Sequence, residues 1–353
     1  MGAPHEPRTS SILVVLAACW TLVAAGEAVG QSIPIGIIDF YGLNRVSADS
    51  ARAALTFKEG DTISFAGDER PPFMAASELR LATVAGVSRS RISLVCCDNG
   101  RAIVYVGIEE RGSATMLFHA PGEGDVRLAP DIVQAGDEFS KTLVVAVQRG
   151  AAAEDRSQGH ALDHDSAVRA VQYRFVRYAN RDLPELRRVV RSSPNAAERA
   201  LAAQVLGYAA DKSAVVDDLV YGMRDPSEGV RNNAMRALLV IAEMSPNTGT
   251  PVPRIPPEPF IALLNSPVWT DRNKASLALS ALTSRRDPQL LEALRRREAI
   301  TALAEMARWK SEGHAQAAFV ILARIAGYSD DGALGLWRRG EREVVINSAV
   351  PRR

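Results

Sequence analysis

Cysteine and lysine are scarce in this chain. Three cysteines in 353 residues leave no paired-cysteine zinc motif. Lys58, Lys141, Lys212, Lys274 and Lys310 are the only lysines, so nearly all the cations are arginine. With 42 basic against 41 acidic residues the net charge is +1, which gives no electrostatic footprint for nucleic acid. A phosphate-cradling P-loop, a dinucleotide glycine fingerprint and a serine-nucleophile motif are all missing. Past the first thirty residues no apolar stretch approaches the ~20 residues that a membrane helix needs. What remains, 47% hydrophobic and 24% charged, is ordinary for globular protein. No constellation demands a reaction, so no enzyme, catalytic residue or cofactor is expected.

The first 28 residues read as an export leader. Arg8 is the cation ahead of an apolar run from Ile12 to Ala25, too short to span a bilayer comfortably, and cleavage after Ala25 or Ala28 fits the small-residue rule. Leu16-Ala17-Ala18-Cys19 offers a second reading, a lipobox in which Cys19 carries a lipid anchor, and an uncleaved anchor is a third. Each places the body of the protein outside the cytoplasm: periplasmic, extracellular, or tethered to the outer membrane. That leaves Cys96 and Cys97, adjacent in an expected strand. Neighbours in a strand face opposite sides, so one buried and one exposed cysteine is expected, with a vicinal disulfide as the alternative.

One short pattern occurs four times between residues 196 and 323. It reads Arg199, Ala202, Val205, Leu206; then Arg231, Ala234, Ala237, Leu238; then Arg272, Ala275, Ala278, Leu279; and, more weakly, His314, Ala317, Val320, Ile321. Self-similarity at this period signals stacked helical repeats rather than one closed core. Helices are expected over 166–179, 183–190, 195–210, 212–223, 228–244, 257–264, 271–284, 290–309 (one helix or two), 312–326 and from 333 onward. Breaks fall at Asp225-Pro226, Ser266-Pro267 and Asp287-Pro288. Met223-Arg224-Asp225-Pro226 followed by Val230-Arg231-Asn232-Asn233-Ala234 resembles the core of HEAT and HEAT-like repeats, the latter often named after phycobiliprotein lyases. The resemblance implies an α-solenoid over 166–345. In it the small alanine lets helices approach, the leucine fills the layer between units, and arginine and Asp225 tie the turns together. It implies no lyase activity.

Residues 33–110 have a different texture. A strand at Ile35–Phe40, a helix at Val46–Leu55 capped by Ser47 and a helix at Met74–Thr83 are expected. Two alternating strands, Arg91–Cys97 and Ala102–Ile108, then flank Asp98-Asn99-Gly100, a strong hairpin signal. Ile38-Asp39-Phe40-Tyr41-Gly42, Glu59-Gly60-Asp61, Leu81 with Gly86-Val87, and Val104-Tyr105-Val106-Gly107-Ile108-Glu109-Glu110 together resemble a POTRA (polypeptide-transport-associated) domain. The resemblance implies that partner proteins pair as strands with a sheet edge. The expected fold class is therefore an α+β module followed by an all-α solenoid.

Residues 111–165 read as a connecting region of short strands and loop, with extended runs at 115–118, 126–128 and 143–147. Within it His160 and His164 are four apart and would share a face if helical, with Asp155, Asp163 and Asp165 nearby. Histidines with a carboxylate can hold zinc, but Ala161 stands where a zinc protease of this spacing carries glutamate. A polar loop with an aspartate capping the helix from Ser166 is the expected state, and no metal is assigned. His160, His164 and Asp155 remain the candidate ligands. Residues 245–259, with Pro251, Pro253, Pro256, Pro257 and Pro259, read as a stiff inserted loop. Arg285, Arg286 and Arg295–Arg297 read as a solvated helix face.

The resulting expectation is a non-enzymatic scaffold of the cell envelope that binds partner proteins. Two alternatives stand beside it: a regulatory or sensory envelope protein with a ligand on the solenoid, and a metal-dependent protein using His160 and His164.

Overall fold

The computed structural model describes residues 32–64, 70–113, 116–151, 153–157, 159–244 and 253–350. The expected leader, its cleavage points and Cys19 lie outside these residues, as do positions 245–252 of the proline-rich loop.

The N-terminal part is built from β1 (Ser32–Tyr41), α1 (Ala48–Ala53), β2 (Thr62–Ser64), α2 (Pro72–Leu81), β3 (Val87–Asp98) and β4 (Arg101–Glu110). The strands form one sheet in the order β2-β1-β4-β3, with β1 parallel to β4 and the other pairs antiparallel. Asn99 and Gly100 both have positive φ, 50° and 74°, as a two-residue hairpin turn requires. Ser47 caps α1 by accepting the Ser50 N–H. Glu110, buried at the end of β4, accepts the backbone N–H groups of Asn44, Arg45 and Val46 and so holds the β1–α1 turn. Burial raises its pKa, and those donors more than offset the rise and leave it lowered.

Strand β4 is buried on both faces. Ala102, Val104, Val106 and Ile108 pack with Ile35, Ile38 and Ile92 under α1 and α2. Ile103 and Tyr105, with Tyr41 and Val95, join the core of the helical part instead. The sheet is thus the middle layer of three. Gly107 is required by this arrangement: a Cβ there would lie 1.9 Å from the Pro267 carbonyl oxygen.

The connecting region differs from expectation. Its main element is a 19-residue helix, α3 (Pro130–Gln148), which takes in the apolar run at 143–147. Ile132, Ala135, Phe139, Leu143 and Ala146 recur at helical spacing along its buried side. Residues 116–128 form neither helix nor ladder. A two-residue pair, β5 (Glu154–Asp155) with β6 (Leu162–Asp163), follows.

The helical part runs α4 (Ser166–Arg181), α5 (Leu183–Ser192), α6 (Ala196–Leu206), α7 (Val216–Gly222), α8 (Glu228–Ala242), α9 (Glu258–Leu263), α10 (Trp269–Leu282), α11 (Pro288–Leu294), α12 (Arg297–Ala307), α13 (Glu312–Ile325), α14 (Asp330–Arg338) and α15 (Arg342–Ala349). The expected 290–309 segment is two helices. The four patterned helices α6, α8, α10 and α13 pack successively against one another, and α15 closes the series. Ala202, Ala234 and Ala275 are fully buried, as are Leu206, Leu238, Leu279 and Ile321. Each unit therefore gains its core from the next one.

Candidate functional site

The buried arginines form a ladder that runs from unit to unit. Arg199 grips Asp225 with two bonds of 2.7 and 2.9 Å and gives a third N–H to the Ser193 carbonyl. Arg231 makes the same grip on Asp271, with bonds of 2.9 to 3.1 Å, while its Nη1 donates to the carbonyls of Asp225 and Pro226. Arg272 bonds Glu305 at 2.8 Å and the Ser266 carbonyl at 2.7 Å. Each carboxylate comes from the following unit. Asp225 is thus met by the preceding arginine through its side chain, and by the following one only through its carbonyl. Arg199, Arg231, Asp225 and Asp271 have almost no exposed surface, so each guanidinium is buried together with its carboxylate.

At the fourth unit the ladder leaves the solenoid. His314 takes the arginine position, and its Nδ1 lies 2.8 Å from the Tyr105 hydroxyl on β4. Trp269 stacks on Tyr105 with centroids 5.3 Å apart, and Trp309 lies 4.9 Å from it. Tyr41 donates its hydroxyl to the Pro267 carbonyl at 2.8 Å, and the Arg272 guanidinium sits over its ring. Gly42 N–H bonds Glu305 and the Lys310 N–H bonds Asp39. The sheet is therefore docked onto the repeat face that carries the Arg and His positions. Burial pushes His314 down to about 4, and the nearby Lys274 charge adds to the shift.

The face of units one and two is covered by residues 116–128. The Arg231 guanidinium lies 4.3 Å from the centroid of the Phe118 ring. His119 stacks on Tyr221 with centroids 4.1 Å apart, and its N–H donates to the Arg224 carbonyl. Gly124 N–H donates to the Ser192 carbonyl, and Leu128 N–H to Glu198.

The histidine pair is not on a helix. His160 precedes β6 and His164 follows it, so four-residue spacing does not set them on one helical face. His160 stacks on Tyr208, and its Nδ1 lies 3.3 Å from Lys212 Nζ, a cation where a metal ion would need an open lone pair. Burial, helped by Lys212, pushes His160 down to about 4; burial also pushes Lys212 down to about 8. Asp155 accepts the Ser157 N–H in its own turn. Among the described residues no group of three His, Cys, Asp or Glu is brought together for a metal. Asp165 caps α4, accepting from Ala167 and Val168. Glu154 is raised by burial, but Arg236 and Arg156 beside it leave it lowered overall. A small half-open cleft beside this cluster is lined by Gln204, Tyr208, Asn233 and Arg236.

Cys96 and Cys97 are both exposed and are joined to each other by a disulfide. The expected division into one buried and one exposed residue fails because the β3–β4 register slips between Val95 and Asp98. The pair sits in a bulge, where strand alternation does not hold.

Strand β3 is an edge of the sheet. At its midpoint the Ile92 N–H donates to Glu78 at 2.6 Å, and Arg70 donates to the Ile92 carbonyl at 2.8 Å. Ile92 thus points its backbone groups away from β4, and Ser90 and Leu94, two residues to either side in the same register, do likewise. Among the described residues no helix is long and apolar enough to cross a membrane.

No family model and no curated protein matches the chain. Among solved structures it is similar to a computationally designed armadillo repeat protein for modular peptide recognition, at 17% identity and TM-score 0.33, covering 52% of this chain and 93% of that one. It is also similar to an engineered protein from a structural-genomics consortium, at 18% and 0.37, covering 53% and 92%. A designed armadillo repeat protein in complex with the peptide (KR)4 gives 16% and 0.35, covering 52% and 92%. Such low identities and scores carry no argument. The repeat architecture rests on the chain's own stacked helices and the ladder between them.

Proposed function

We propose that this chain is a non-enzymatic interaction scaffold, exported to the cell envelope, that receives a partner strand along β3. The observation that carries the reading is the β3 edge. It is a twelve-residue strand paired on one side only, and outside its capped midpoint Ser90 and Leu94 direct backbone groups outward. Strand addition needs little besides such groups. The POTRA-like order of the module favours the same mode, and the docked solenoid holds the sheet rigid beneath it. The Arg70–Glu78 pair occupies the outward groups of Ile92, so a partner strand that pairs continuously from Ser90 to Leu94 must displace it.

Ser90→Pro tests it. Proline at an outward-facing edge position leaves the β4 ladder intact and removes the donor offered to a partner. A photo-crosslinker at Leu94 should then capture an envelope protein in the wild-type background and lose it in Ser90→Pro, while a crosslinker at Val344 captures nothing. Capture that survives Ser90→Pro would rule out strand addition at this edge. Export is tested by the mass of the chain recovered from the envelope fraction. Loss of residues 1–25 or 1–28 supports the cleaved leader, a lipid on Cys19 supports the tethered form, and recovery of the full-length chain from the cytoplasm overturns both.

A further inference from the structure

We infer that residues 116–128 act as a strap occupying, in cis, a peptide-binding site on units one and two of the solenoid. The site's proper occupant is a non-helical segment of a partner protein with the same chemistry. This surface lies on the helical units, apart from the β3 edge, and the inference does not depend on that edge.

The strap is held as a peptide ligand is held. It has no ladder of its own and crosses the helix ends through a few separated contacts. Two are aromatic: Phe118 on the Arg231 guanidinium, and His119 flat on Tyr221. Two are backbone bonds to solenoid carbonyls, His119 N–H to Arg224 at 2.9 Å and Gly124 N–H to Ser192 at 2.8 Å. The site also sets a size limit. A Cβ at Gly122 would lie 2.5 Å from the Ser192 backbone, and one at Gly124 would lie 3.0 Å from it. A fitting ligand is therefore an aromatic residue, then histidine, then after two residues Gly-x-Gly, in a non-helical segment.

The strap also fits imperfectly. His119 gives its Nδ1 hydrogen to the neighbouring Ala120 carbonyl, so Nε2 is left as a buried acceptor without a partner among the described residues. Leu117, adjacent to Phe118, is 83% exposed. Along 116–128 only Leu128 is buried, in contrast to β4, buried without a break from Ala102 to Ile108. These defects leave with the strap, so a partner segment that makes the same contacts to Arg231, Tyr221, Arg224 and Ser192 without a buried unpaired acceptor of its own would compete with it.

The test uses the full chain and a labelled synthetic peptide with the sequence of residues 116–128. In wild type the tethered strap competes, and apparent affinity falls by the fraction of time the site is open. Phe118→Ser with His119→Ser should release the strap and bind the peptide at least about tenfold more tightly than wild type does. Adding Tyr221→Ala, or placing valine at both glycine positions of the peptide, should abolish the gain. A folded release variant with no gain overturns the inference, as does a release variant that dimerises by strap exchange and ignores the peptide. Hydrogen exchange on the wild-type chain gives an independent reading if the variant misfolds. The His119 and Gly124 amides should exchange by local opening, well ahead of the Leu219 amide in α7; exchange of all three only through global unfolding would also overturn it.

Discussion

Tyr105 on the sheet and His314 on the last patterned helix meet through a 2.8 Å bond between hydroxyl and Nδ1, and that contact joins two halves of the chain separated by 209 residues. In the three preceding units the same helix position holds an arginine that reaches for a carboxylate of the next unit. The fourth unit faces the sheet, whose underside offers a tyrosine, and a shorter, neutral ring fits where a guanidinium would be stranded. Tyr105→Phe keeps the stacking on Trp269 and leaves the histidine nitrogen unpaired in a dry site. It should cost about 1–3 kcal/mol, seen as a lower urea midpoint without loss of helical signal.

The same histidine gives the fold a pH dependence. Its folded pKa, about 4, lies below the ordinary 6.5, so between those values the unfolded chain binds the extra proton. Stability from this group is fully present above pH 6.5 and is lost as pH falls toward 4. From pH 7 to pH 5 the loss should be about 2 kcal/mol. Asp39, raised by burial, works in the opposite sense and is unchanged in a His314→Gln variant. Urea midpoints of wild type and His314→Gln at pH 7 and pH 5 should therefore converge at the lower pH. Parallel curves would show that His314 does not titrate in this window.

Gly107→Ala probes the docking sterically. The added methyl would meet the Pro267 carbonyl, and backbone of the α9–α10 turn cannot swing aside as a flexible side chain would. A penalty of about 3 kcal/mol or more is expected. Because the residue lies on the solenoid face of β4, hydrogen exchange should rise at Tyr41 and Tyr105 before it rises in α13.

The repeat units were legible because their chemistry recurs: arginine, a small residue three later and an aliphatic four beyond that can satisfy only a stacked helix. The Asn-Gly hairpin was legible because its turn needs two positive φ values. The sheet's docking was not. Tyr105 reads as one position of an alternating strand and Tyr41 as a strand end, although the unbroken apolar run of β4 is what a strand covered on both faces requires. In helix α3 the apolar residues include the short run at 143–147, which by itself mimics a strand. The recurrence of Ile132, Ala135, Phe139, Leu143 and Ala146 was the available signal. His160 and His164 suggested a metal only on the premise of a helix, and β6 between them removes it. The Phe118 and His119 contacts left no local signature, because their partners lie about a hundred residues downstream in the helical units.

The ladder makes the last prediction. Asp225→Ala leaves the Arg199 guanidinium buried with its Ser193 bond alone, and such an uncompensated charge should cost about 3–5 kcal/mol. Replacing both partners, Arg199→Met with Asp225→Leu, removes the charge along with its mate and should recover most of that loss, since apolar groups of similar size can fill a site that is already dry. The damage should also be local. Arg231 donates to the Asp225 carbonyl, which alanine retains, so the grip of unit two on Asp271 persists. Hydrogen exchange should accelerate in α6, α7 and the start of α8 while α10 and α13 stay protected. Equal acceleration across all four patterned helices would mean that the stack unfolds as one cooperative block rather than unit by unit.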